Sequence, residues 1–92
     1  MTKVKNINGT SRFPAHSGYN SWLEYWEKQT GQKATECGAI NCKSNEQLFG
    51  AHVIKVNSSD KKYYITPLCP KCNKRTDNFN VDTELVPVPS NL

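Results

Sequence analysis

A small, single-domain α+β fold is what this sequence predicts, on three observations. Two cysteine pairs, Cys37/Cys42 and Cys69/Cys72, bracket a segment that alternates β-branched and aromatic residues. A stretch with helical periodicity, "YNSWLEYWEKQTG", precedes them and carries a capping signal at each end. The chain has only 92 residues, 36% of them hydrophobic, and a mean hydropathy of −0.71. A core this thin supplies only about 3–5 kcal/mol, so a covalent or metal staple is expected.

The elements follow in order along the chain. Residues 1–16 show no clear period and are rich in Asn, Thr, Ser and Gly, so an irregular surface segment is expected there. The single domain spans residues 17–92 and opens with a helix region, 17–35. Ser21 and Glu24 form a capping box, and Gly31 is the expected stop. Trp22, Leu23 and Trp26, with Tyr19 just before the cap, make an apolar stripe at helical spacing. Residues 36–79 hold the cysteines. "ECGAINCKSNEQ" reads as a Cys-x4-Cys loop, and "LFGAHVIKV" and "KYYITPL" read as two strands joined by the polar turn "NSSDK". "CPKCNKRTDNF" then reads as a short helix with Cys69 at the cap and Pro70 at its first position, where a missing N–H costs nothing. Residues 80–92 form a tail, or an edge strand that Pro87 and Pro89 end.

Composition narrows the function. The opening "MTKVKNINGTSRFP" has no apolar h-region and no apolar run could span a bilayer, so a soluble cytoplasmic protein is expected. Thiols in that compartment stay reduced, and four cysteines then read as metal ligands in preference to two disulfides. Residues 36–75 carry seven Lys/Arg against three acids, while residues 76–92 carry three acids and no base. A pI near 8.9 permits nucleic-acid binding without demanding it.

At the start of the last helix, Cys69 and Cys72 place both sulfurs on one side of the first turn, where the helix N-terminus favours thiolates. Cys37 and Cys42 supply the other two ligands of a tetrahedral, structural Zn²⁺ site. The competing reading, a redox Cys-x-x-Cys, lacks the βαβ context such pairs occupy.

A knuckle, a hairpin with histidine on its first strand, then Cys-x-x-Cys-Asn at a helix start resembles the treble-clef, HNH-like (ββα-metal) zinc-binding family over residues 36–76. In that family the first-strand histidine is the general base, and the residue before it binds the catalytic divalent metal. An asparagine five residues before the third cysteine orients the histidine, and His or Asn after the fourth cysteine completes the site. The resemblance puts His52 at the general base and Asn73 at the last position. Ala51 falls on the first metal ligand and Tyr64 on the orienting asparagine, so the motif is incomplete; Asp60 and Glu46 do not sit where the missing carboxylate belongs. The chain is also similar to small bacterial proteins sharing "W-x3-W-E", "GAHV" and "PLCPKCN"-like blocks, which implies the fold and not an activity.

His52 accordingly has three readings: a hydrogen-bonded core histidine, a fifth potential zinc ligand, or a site residue. Trp22, Tyr19 and Trp26 read as packing in preference to a base-stacking platform. His16 reads as a surface or capping residue. Lys71, Lys74 and Arg75, beside the metal, and Lys61 and Lys62, at the hairpin tip, are the candidate phosphate contacts. The leading expectation is a zinc-stabilised binding module whose partner is DNA or RNA. A divergent HNH-type endonuclease using His52 and a protein-interaction domain are the alternatives. No dimer seam or substrate pocket is legible.

Overall fold

A computed structural model describes residues 2–7, 18–59 and 62–88. Among these residues five strands and two helices follow the order β1 (Thr2–Asn6), α1 (Trp22–Thr30), β2 (Phe49–Lys55), β3 (Tyr64–Leu68), α2 (Pro70–Asn73), β4 (Phe79–Val81) and β5 (Val86–Pro87). All strands pair antiparallel in one sheet of order β4-β1-β2-β3-β5. The expected hairpin is β2–β3, in the register Phe49↔Leu68 to Val53↔Tyr64. Among the described residues no helix is long and apolar enough to cross a membrane.

The main departure from expectation is at the N-terminus. Residues 2–6, expected to be irregular, form β1 and lie inside the sheet between β2 and β4. Its alternation is real but short: Val4 and Asn6 are buried while Lys3 and Lys5 are exposed. Its partners are Val53–Lys55 and Phe79–Val81, so long-range pairing and not local propensity makes it a strand. In the C-terminal stretch the expected edge strand is β5, which ends at Pro87, and β4 is an addition. The two short strands occupy opposite edges of the sheet, and β4 straddles the boundary expected between residues 79 and 80.

Because residues opposite each other in an antiparallel ladder share a face, the register sorts the sheet into two layers. One face carries Val4, Ala51, Val53, Tyr64, Leu68, Phe79 and Val81, packed with Cys37, Cys69 and Cys72. The other carries Ile65 and Val86, covered by Trp22, Tyr25 and Trp26 of α1. The helix has the expected caps: the Glu24 N–H donates to Ser21 Oγ (3.1 Å), and Gly31 adopts the left-handed conformation, φ 72°. Its buried face is Trp22, Tyr25 and Trp26, with Tyr25 in the place expected of Leu23, which is half-buried. Trp26 is further anchored by donating its indole N–H to the Glu84 carbonyl at 2.7 Å. α1 comes so close to β2 that a Cβ on Gly50 would lie 2.4 Å from the Leu23 backbone nitrogen.

Candidate metal centre

The loop that carries the first two cysteines is shaped by its own backbone. Cys42 and Lys43 both donate their N–H to the Ala39 carbonyl (3.0 and 3.3 Å), and the Cys37 N–H donates to Ser44 O at 2.7 Å. Lys43 takes a left-handed conformation, φ 55°, to close this turn, and its ammonium pairs with Asp82. The same loop bridges two strands. Gly38 donates to Pro67 O of β3 (2.8 Å), Ile40 donates to Asn80 O of β4 (3.0 Å), and the Asp82 N–H donates to Gly38 O (3.2 Å). The knuckle thus links β3 to the far edge strand β4, and Cys37 is held fully buried between them.

The second pair comes from the end of β3. Cys69 is the N-cap of α2 and Pro70 follows at its first position, as expected. The Asn73 N–H donates to Cys69 O and the Arg75 N–H to Cys72 O, which fixes the single turn that turns Cys72 inward. Asn6 of β1 reinforces it from below: its side-chain amide donates to Cys72 O at 2.8 Å and to Arg75 O at 3.0 Å. The Cys72 carbonyl, which already accepts the Arg75 N–H, gains a second donor in this way, and the Arg75 carbonyl just beyond the helix gains one from a side chain. No local signal in "TKVKN" announces this role, since the partners lie 66 and 69 residues away.

These supports bring the sulfurs of Cys37, Cys42, Cys69 and Cys72 all within 4.8 Å of one another. Cys37, Cys69 and Cys72 are buried and Cys42 is half-buried. The Cys42 and Cys69 sulfurs are 3.6 Å apart, close to the roughly 3.8 Å edge of a tetrahedron with metal–sulfur bonds of about 2.3 Å. Burial pushes the Cys37 thiol up, partly offset by the backbone N–H groups of Cys69 and Ala39. Burial also pushes the Cys72 thiol up, and the surrounding cysteine sulfurs add to it. At Cys69 burial acts the same way, but the Cys72 N–H and the neighbouring thiols outweigh it and bring that thiol down. Four thiolates this close repel one another, and a divalent cation among them removes the repulsion. The arrangement can hold a metal ion.

His52 is placed elsewhere. It pairs with Ile65 across the hairpin and so points to the α1 face, where its ring meets Trp22 edge-on at 5.1 Å. Only 5% of it is exposed, and burial lowers its pKa, which keeps the ring neutral. The sheet separates it from the cysteines, so it is no fifth ligand. Asn73 lies exposed on α2, on the cysteine side, and the two tentative catalytic residues are not brought together. Ala51 is buried facing the cysteine layer, and Tyr64, on the same face opposite Val53, has the Lys55 ammonium 4.5 Å above its ring.

The basic candidates differ from one another. Lys71 and Lys74 are exposed on and just after α2, and Lys62 is exposed near the hairpin tip. Arg75 is half-buried, forks onto Asp77 through Nε (2.9 Å) and a second nitrogen, and stacks on Phe79 at 4.5 Å. Lys61, Asp60 and His16 lie outside the described residues. Compared with protein-family models, with curated proteins and with solved structures, the chain matches none.

Proposed function

We propose that this chain is a zinc-stabilised treble-clef module that binds nucleic acid, with a degenerate HNH-like site. The observation that carries it is the meeting of four cysteine sulfurs within 4.8 Å, two from a knuckle and two from a helix start, on either side of a hairpin. That order of elements is the treble-clef order. An all-sulfur, largely buried set suits Zn²⁺ in a closed structural site, because no position is left for water or substrate.

Nucleic acid is the favoured partner because Lys71 and Lys74 project from the helix that carries two of the ligands. Arg75 contributes little to this, being committed to Asp77 and Phe79. Cleavage is disfavoured by three placements. Ala51 offers no ligand for a catalytic cation, His52 is buried beneath Trp22, and the sheet lies between His52 and Asn73. An aromatic interaction surface on α1 is disfavoured because Trp22, Tyr25 and Trp26 are buried.

The test combines metal analysis with binding. The purified protein should carry one zinc per chain. It should bind single-stranded and duplex oligonucleotides weakly, with an affinity that falls with salt. Replacing Lys71 and Lys74 with Gln should flatten the log–log salt slope by about one unit for each lost phosphate contact. Absence of salt-dependent binding would put a protein partner ahead. Plasmid nicking in Mg²⁺, Mn²⁺ or Ni²⁺ that disappears in His52→Ala would replace the binding reading with a nuclease.

A further inference from the structure

The geometry points to Cys42 as an oxidation site: a peroxide reaching this half-buried ligand would join it to Cys69, 3.6 Å away, and release the metal. This rests on the zinc reading above.

Exposure separates the four cysteine residues. Cys37, Cys69 and Cys72 are 0%, 1% and 3% exposed, so an oxidant has no direct path to them. Cys42 is the half-buried one of the four, the residue a small solute reaches first. A metal-held cysteine is kept as the thiolate, the form that attacks an oxidant. Reactivity without a nearby second thiol would lead to over-oxidation; here the second thiol is already in place. The Cys69 sulfur need close only from 3.6 Å to a bond length of about 2.05 Å. Neither residue lies in a strand. Cys42 sits in the Ala39–Lys43 turn and Cys69 at a helix cap, so the movement breaks no ladder hydrogen bond.

The chemistry balances with a hydroperoxide as the two-electron oxidant. The Cys42 thiolate attacks one peroxide oxygen; an S–O bond forms, the O–O bond breaks, and the departing hydroxide takes a proton and leaves as water. The Cys69 thiolate then attacks the Cys42 sulfur; the S–S bond forms, the S–O bond breaks, and a second hydroxide takes a proton and leaves as water. Two thiolates are oxidised and one hydrogen peroxide is reduced. Cys37 and Cys72 alone cannot complete a tetrahedral site, so zinc departs. The new bond spans the same gap that the metal closed, between knuckle and helix, and a dithiol can reduce it again.

Zinc-loaded protein comprising all 92 residues, treated with hydrogen peroxide at neutral pH, tests this. Zinc release is followed with a chromogenic chelator, and the disulfide is mapped by mass spectrometry of non-reduced peptides. Expected are zinc release, a Cys42–Cys69 linkage, and recovery of zinc binding after dithiothreitol and added Zn²⁺. Cys42→His retains four ligands but cannot form the bond, and should lose zinc at least about tenfold more slowly. Cys72→His, which swaps a buried ligand, should respond like the parent. Zinc release from Cys42→His at the parental rate, resistance of the parent to peroxide, or a mapped disulfide without Cys42 overturns the inference. If a histidine variant fails to load zinc, the disulfide map of the parent decides alone. Failure of the zinc reading itself is separate, because it shows as metal-free protein before any peroxide is added.

Discussion

At the scale of single residues, Gly50 and His52 are adjacent to the "GAHV" block's alanine and owe their character to α1. A Cβ on Gly50 would meet the Leu23 nitrogen at 2.4 Å, the Trp22 carbonyl carbon at 2.5 Å and Trp22 Cβ at 2.8 Å. The first two are backbone atoms, so the strain cannot be relieved by a rotamer and α1 must move. Gly50→Ala should destabilise the domain by about 1–3 kcal/mol in denaturant melts, yet keep its zinc, because the sheet lies between Gly50 and the cysteines. Glycine inside a strand pattern is a legible sign of close backbone approach, but the sequence does not say what approaches. His52 makes a second test. Burial lowers its pKa, so the unfolded chain, with an ordinary value of about 6.5, binds a proton that the folded chain refuses. Its neutral form is fully accommodated above that pH. Stability is then lost as pH falls from about 6.5 toward the lowered folded value, with a slope of up to about 1.4 kcal/mol per pH unit from this group. In His52→Gln the difference in slope between parent and variant should expose that share, read from urea midpoints between neutral and mildly acid pH. Equal slopes would mean that His52 takes up its proton as readily in the fold as in the unfolded chain.

At the scale of elements, legibility followed the range of the interactions. α1 could be read because its caps and its apolar face lie within thirteen residues of sequence, and β2 and β3 because their alternation flanks a polar turn. Only the choice of Tyr25 over Leu23 for the buried face required the packing partner. β1 could not be read: two lysines and two polar residues in five give a weak pattern, and what makes it a strand arrives about 50 and 75 residues later in the chain. The four cysteines that meet were legible through spacing; the device that steadies two of them was not. Asn6 holds the carbonyls of Cys72 and Arg75. Asn6→Ala removes two hydrogen bonds at the end of α2, one of them buried, while the Cys72 carbonyl keeps the Arg75 N–H, at a cost of about 0.5–1.5 kcal/mol for each bond. Zinc transfer to a competing chelator should quicken in this variant, whereas Lys5→Ala, one position earlier on the exposed face, should leave it unchanged. Parental transfer kinetics in Asn6→Ala would show that α2 holds its turn without β1.

At the scale of the whole molecule, the sheet makes one cooperative unit out of two layers. Alternate residues of β3 serve both: Tyr64 and Leu68 pack with the cysteines, while Ile65 packs beneath Trp22 and Trp26. The knuckle adds a second tie, since Gly38–Ile40 bonds to β3 and to β4 at once. Losing a metal held among the cysteines would therefore loosen their layer and, with it, the strands on which α1 rests. The magnitudes point the same way. A structural zinc contributes about 10–16 kcal/mol in apparent binding free energy, whereas a core of this size supplies only about 3–5 kcal/mol. The apo chain is then expected to have no stable fold of its own. Complete chelation should abolish the sheet and helix signals in far-UV circular dichroism and expose Trp22 and Trp26 to water in the same transition, as their fluorescence reports. Tryptophans that remain shielded after the last zinc is removed would mean that α1 and its face of the sheet stand alone, and that the metal stabilises only the layer it touches.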